Sequence, residues 1–228
     1  MITISKDSLA ETLDAISDAF FHERVLKESE GRTIARWIAE TRGKPGSYAG
    51  MFAPTSADLV NGIKVFTGES ISSGAGVGHV LGEEACRALV LLGADDNAVK
   101  DALDRATHGM LQRLRQSESP DSVHGIYCCG LCSVAYWRHV LVGGLDRNEE
   151  RLAAGMTALR ARRTDDGHWR RFPFYYTLLL LSEIDLGLAL DEMRHAAPLL
   201  ERYVRKKVLD SRVSERRHTI CERILARC

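Results

Sequence analysis

The chain has 228 residues, 45% hydrophobic and 27% charged, with 31 Lys+Arg against 31 Asp+Glu. That composition excludes a disordered or fibrous protein, and a net charge of zero excludes a global pull toward nucleic acid or an anionic membrane. The longest nearly apolar run, Phe172 to Leu181, is about half of the ~20 residues a membrane helix needs, and the start lacks a basic segment followed by an apolar one. The expectation is a soluble, cytoplasmic protein with no signal peptide and no membrane span.

Strand signals are nearly absent. Only short stretches such as Met1–Ser5 qualify, and no Asn-Gly or Asp-Gly separates two alternating runs. Leu9, Leu13, Ile16 and Phe20 follow helical spacing behind a Ser8-Leu-Ala-Glu11 capping box. Ile34, Trp37 and Ile38 mark a second helix that stops near Gly43 and the Lys44-Pro45-Gly46 turn. A third is expected over 56–66, followed by a loop of small residues from Gly68 to Gly78. From there the pattern becomes regular, with helices expected over 80–92, 97–116, 127–142, 148–163, 174–184, 190–208 and 213–226. Gly93-Ala-Asp95-Asp-Asn97 recurs 51 residues later as Gly144-Leu-Asp146-Arg-Asn148, each after an apolar helix, which fits one helical hairpin per repeat. The whole is read as one all-α domain over 1–228, with 1–78 more divergent and 79–228 made of regular hairpins.

Six cysteines stand at 86, 128, 129, 132, 221 and 228, too few and too clustered for a disulfide scaffold, so reduced thiols are expected. His124, Cys128, Cys129 and Cys132 are the densest set of soft ligands. On one continuous helix, however, His124 and Cys132 lie eight residues apart, about 12 Å along the axis, too far for one tetrahedral ion. A metal would need a loop at 125–130 or a ligand such as His168 from elsewhere, and the plainer expectation is thiols that let helices pack closely. No metal and no cofactor are therefore expected. Gly74-Ala-Gly76-Val-Gly78 is neither a dinucleotide fingerprint nor a Walker A loop, and reads as a linker or lid. Residues 1–30 carry 7 acids and 3 bases, whereas 201–228 carry 9 Lys/Arg and 4 acids, including Arg205-Lys206-Lys207 and Arg216-Arg217. The basic end reads as a solvated face drawn to the acidic first helix or to another subunit, which leaves a homo-oligomer open; nucleic acid is not the expected partner.

The most distinctive segment is Thr164-Asp-Asp-Gly-His-Trp169-Arg-Arg-Phe172-Pro173-Phe-Tyr-Tyr176-Thr177 followed by a Leu-rich run. It resembles the repeat of the terpenoid cyclase and protein prenyltransferase superfamily, in which an Asp-Gly-x-Trp turn ends an outer helix and a Leu-rich inner helix follows. The resemblance is best over 79–208. It implies an α/α-toroid of about five hairpins, closed or partly open, with inner helices lining a cavity and Trp169 stapling neighbouring hairpins. Where family cyclases carry Gln four residues before the glycine, this chain has Arg163. The prenyltransferase zinc ligands do not carry over: Tyr176 stands in the histidine's place, and Leu131 and Ser133 stand where Asp and Cys are due. The Asp-x-Asp-Asp acid run of the cyclases has no counterpart, since Asp95-Asp96 and Asp165-Asp166 lack the first Asp.

The topology that the resemblance implies gathers Ser122–Tyr127 and Asp165–Tyr176 at corresponding hairpin ends. His124, Asp165, Asp166, His168, Tyr175 and Tyr176 are then the candidate catalytic residues at one mouth, with a His beside a carboxylate as acid/base pair. The expected function is a divergent prenyltransferase/cyclase-like protein whose cavity takes a hydrophobic or isoprenoid-like small molecule, its family catalytic residues lost. The alternatives are a non-enzymatic helical interaction module and a metal-dependent enzyme built on the Cys128–Cys132 cluster.

Overall fold

The structure is a computed structural model that describes residues 2–119, 122–185, 187–206 and 209–228. The outer ends of three expected features, at Met1, Lys207 and Val208, lie outside the described residues. Of the described residues 62% are helix and 5% strand, an all-α array of helical hairpins as the periodicity predicts. Among the described residues there are ten helices: α1 (Leu9–Phe21), α2 (Glu28–Ala39), α3 (Ser56–Asn61), α4 (Gly74–Leu92), α5 (Asn97–Arg115), α6 (Gly130–Leu141), α7 (Asn148–Arg160), α8 (Phe174–Glu183), α9 (Gly187–Lys206) and α10 (Arg212–Leu225).

Local chemistry sets the boundaries. Ser8 caps α1 by accepting from Glu11 N, and its hydroxyl donates to Asp58 Oδ1 at 2.6 Å, tying α1 to α3. The expected helix over 56–66 ends at Asn61, because Gly62 turns the chain with φ +67°. A Cβ there would lie 2.6 Å from Ile71 O. That close approach lets β1 (Ile63–Lys64) pair antiparallel with β2 (Ser70–Ile71), Ile63 opposite Ile71. The small-residue loop expected at 74–78 is instead the start of α4, capped by Ser73. Its glycines serve packing: a Cβ on Gly78 would sit 2.5 Å from Gly46 O, so the 46–51 loop lies directly on the helix.

α4, α6 and α8 are buried around most of their circumference, whereas α2, α5, α7 and α9 bury one stripe each. α4 packs against α6, α1, α2 and α5; α6 against α7 and α8; α8 against α9 and α10. The first and last helices meet through charge, as the lopsided ends suggest. Arg216 of α10 forks onto Asp14 of α1 at 2.7 and 2.8 Å and reaches Asp18 at 2.9 Å, and Arg212 adds a bond to Asp18 at 2.8 Å.

The Asp-Gly-x-Trp turn forms as expected. Gly167 takes φ +88°, and Thr164 donates to Asp166 at 2.6 Å. Trp169 folds back until 3% of it is exposed, and its Nε1 donates to Glu192 of α9 at 2.9 Å. Arg163, in the position of the family's Gln, holds the same carboxylate at 2.8 and 2.9 Å.

Candidate functional site

The six sequence candidates fall into separate surroundings. Asp166 and His168 pair within their own exposed turn, Nδ1 to Oδ1 at 3.2 Å. There, the Thr164 hydroxyl and His168 hold the Asp166 carboxyl below its usual range against a small opposing effect of burial. Asp165 is exposed. Tyr175 packs on Tyr203 at 5.5 Å under the Arg217 guanidinium. Tyr176 is buried, its backbone N–H donating to Glu69 and its hydroxyl to Glu84. His124 is exposed, and its N–H donates to Glu118 at 3.2 Å. Among the described residues, His124 shares no hydrogen bond, ion pair or ring contact with the other five.

The cysteine cluster is different from what a continuous helix would give. α6 begins at Gly130, not at Tyr127. Cys129 is its cap in extended conformation, with Sγ accepting from Cys132 N at 3.5 Å, and Cys128 takes the left-handed φ of +62°. That reversal costs a non-glycine residue of order 1–3 kcal/mol and persists only where surroundings impose it. Here they do. Ser133 Oγ donates to Tyr127 O at 2.8 Å and accepts from Tyr127 N at 2.9 Å. Trp137 Nε1 donates to Gly125 O at 3.2 Å. Gly130 is pressed against the next hairpin, since a Cβ there would lie 2.1 Å from Arg171 O. The 125–129 loop is thus held by residues one and two turns into α6, and the helical-spacing objection to a shared ion does not apply to Cys128.

The third donor is a residue that sequence reasoning passed over. His79 of α4 brings a ring nitrogen to the two thiols, so that one donor atom from each of His79, Cys128 and Cys132 lies within 4.8 Å of the others. His79 and Cys132 are buried, and Cys128 is exposed. His79 stacks on Tyr48 at 4.2 Å and meets the edge of Tyr127 at 5.0 Å. The tyrosine hydroxyls contact each other at the rim, where Arg113 donates to Tyr48. Behind His79, its Nε2 lies 3.4 Å from Glu83 Oε1, while Glu83 Oε2 lies 2.6 Å from His139 Nδ1. Burial alone would raise the Glu83 carboxyl, but His139 and His79 more than reverse it, to about 2. The sequence signal was a His-x-x-x-Glu spacing, one helical turn, hidden in an apolar stretch.

Zinc fits this donor set. With Zn–S of about 2.3 Å and Zn–N of 2.0–2.1 Å, tetrahedral donors stand roughly 3.5–3.8 Å apart, so a contraction of about 1 Å closes the set. Two sulfurs and one imidazole are borderline-soft ligands, and a buried carboxylate behind the imidazole is the usual orienting partner of a metal-bound histidine. Without an ion Cys132 is a poor nucleophile, because burial and the neighbouring Cys129 and Cys128 push its thiol up.

A second polar cluster occupies the middle of the array. Arg138 of α6 is 2% exposed and binds Glu84 of α4 and both oxygens of Glu183 of α8, the latter at 3.0 Å. Arg87 joins Glu183 at 2.9 Å, and Tyr176 donates to Glu84. The space beside this cluster, bordered by α1 and β1, holds about 30 Å³. Among the described residues, no helix is long and apolar enough to cross a membrane. No protein-family model, no curated protein and no solved structure matches the chain.

Proposed function

We propose that the chain is a metal-dependent enzyme whose zinc ion is held by His79, Cys128 and Cys132, with a fourth position open on the side of exposed Cys128. The observation that carries this is the convergence of three donors, His79 from α4, Cys132 from α6 and Cys128 from the loop before α6, backed by buried Glu83. Bound there, zinc would supply Lewis acidity to a water or a substrate thiol. The protein's own part is to fix the donors. Ser133 and Trp137 hold the Cys128 loop, Tyr48 and Tyr127 clamp the His79 ring, and Glu83 stands behind its Nε2. The apolar-ligand reading implied by the prenyltransferase/cyclase resemblance has less support, because charged side chains line the centre, and the spaces beside them hold only about 30 and 160 Å³. The interaction-module reading has less support: among the described residues the large exposed hydrophobics are Val25, Leu59, Val60 and Leu209, of which only Leu59 and Val60 are neighbours in sequence.

The test is elemental analysis of tag-free protein after zinc loading and dialysis. About one zinc per chain is expected, with Cys128→Ser and Cys132→Ser each reducing occupancy at least tenfold while the circular dichroism spectrum is unchanged. Cobalt substitution then counts sulfurs: two thiolates leave a position for solvent, whereas three mark a closed, structural site completed by Cys129. Metal-free protein, or zinc retained in both serine variants, overturns the proposal.

A further inference from the structure

At the end of α4 away from His79, a separate cavity of about 160 Å³ opens between α1, α4, α6, α8 and α10. Its wall has two chemistries. Phe20, Phe66 and Leu179 give it an apolar side, and Arg87, Arg138 and Arg223 give it three guanidinium groups. The carboxylates that answer these cations are fewer. Glu183 lines the cavity and bonds Arg87 and Arg138, and Glu84 takes Arg138 from behind. Three cations against two carboxylates leave an excess of one positive charge.

Part of this charge is held away from solvent at Arg87, while Arg223 stands exposed at the rim. Arg87 is 7% exposed, and its Nε is buried with no acceptor among the described residues. Arg223 is anchored at the rim by donating to Phe21 O at 2.6 Å and by lying 4.0 Å over the Phe21 ring, and among the described residues no carboxylate forms an ion pair with it. Burial would raise the Glu183 carboxyl, but Arg138, Arg87 and Arg223 keep it lowered, so it remains a charge in this balance. The remaining neighbour, Arg227, donates to Ser182 O and Ile184 O and lies 3.6 Å from Asp185, adding no uncompensated acid. A cavity near 150 Å³ with apolar walls accepts a benzene-sized body. Arginines are the side chains best shaped for a planar or tetrahedral oxyanion.

We propose that this cavity is a binding site for a small amphiphilic oxyanion, a carboxylate or phosphate carried on a body of about phenyl size. The oxyanion sits between Arg87 and Arg223, and the body lies against Phe20, Phe66 and Leu179. The site uses none of the metal donors and stands whether or not the chain binds zinc.

Isothermal titration of the full chain with benzoate and phenyl phosphate tests it, with inorganic phosphate, benzyl alcohol and benzylamine as controls. Binding of benzoate or phenyl phosphate in the millimolar range or tighter is expected, and whichever binds more tightly identifies the oxyanion. Inorganic phosphate and benzyl alcohol, each carrying half of the recognised chemistry, should bind at least tenfold more weakly, and benzylamine not at all. Arg223→Met, at an exposed position, should weaken the anion ten- to a hundredfold, the worth of one charge-assisted bond, while the circular dichroism spectrum shows the chain still folded. Arg87→Lys should weaken it while keeping the ion pair to Glu183. No anion binding below about 10 mM, equal binding of benzyl alcohol, or an Arg223→Met variant with unchanged affinity would each overturn the proposal.

Discussion

Trp169→Ala is the most direct test of how the hairpins are joined. The indole is 3% exposed and touches three partners: Phe174 at 6.0 Å between ring centroids, His195 at 5.8 Å, and Glu192 through Nε1 at 2.9 Å. A buried tryptophan removes about 150–250 Å² from water, which at ~25 cal/mol per Å² gives roughly 4–6 kcal/mol as an upper bound. Compactness of the unfolded chain lowers that, and the cavity left behind raises it, so about 3–5 kcal/mol is expected. The lost hydrogen bond adds little, because Arg163 still satisfies Glu192, which is 1% exposed. Trp169→Phe keeps a ring against Phe174 and loses only the donor and the second ring, so it should cost about 1–2 kcal/mol. Urea unfolding followed by circular dichroism measures both, and a melting point roughly 6–20 °C lower accompanies the alanine change at this chain length. A loss below about 1 kcal/mol for Trp169→Ala would mean that the ring is solvated, and the account of the Asp-Gly-x-Trp turn as a staple would fail.

Two further substitutions address the ends and the glycines. Burial raises the Asp18 carboxyl, but hydrogen bonds from Arg216 and Arg212 more than reverse it, so its folded pKa is lowered and its stabilisation is present above the unfolded value of about 3.9. Asp18→Asn should therefore cost roughly 1–3 kcal/mol between pH 5 and 8, and the gap to wild type should shrink as pH falls below about 4; a gap independent of pH would refute the ion-pair seam. Gly78→Ala should destabilise by about 1–3 kcal/mol through overpacking against Gly46 O, where a linker or lid at 74–78 would tolerate the methyl group.

Much of the fold was written in local signals. Leu9, Leu13 and Ile16 are the buried stripe that their spacing announces, and Asp166-Gly167 turns where turn chemistry says it should. The attraction between the acidic first helix and the basic end was legible as charge, and Arg216 with Asp14 and Asp18 realises it. The glycines at 74, 76 and 78 were misread because small residues serve a loop and a close contact equally well; what decides is a carbonyl at Gly46, far away in sequence. The proposed metal donors are hidden for two reasons. His79 stands in an apolar stretch between Val77 and Leu81, where a histidine usually reads as core. The left-handed turn at Cys128 is imposed by Ser133 and Trp137, side chains of the helix that follows it.

The inner face of α4 carries a polar row where a helix this buried would ordinarily be apolar. His79, Glu83 and Arg87 are spaced by single turns, about 6 Å each, and Glu84 stands beside them. The charged members are each paired to another helix: Glu83 to His139, Glu84 to Arg138 and Tyr176, Arg87 to Glu183. Such pairing prevents a penalty but does not by itself favour the fold, since well-packed hydrophobic residues are often as stabilising as a buried ion pair. A chain selected only for a core would have no need of the row. Its two ends are where the two proposed sites lie, at the Cys128 loop beside His79 and at the arginine-lined cavity beside Arg87, about 12 Å apart along the helix. The buried charges between them then have a physical role. Glu83 stands 3.4 Å from the imidazole at one end, and Glu183 holds the guanidinium groups of Arg87 and Arg138 together at the other, so that each end presents donors placed before any ligand arrives.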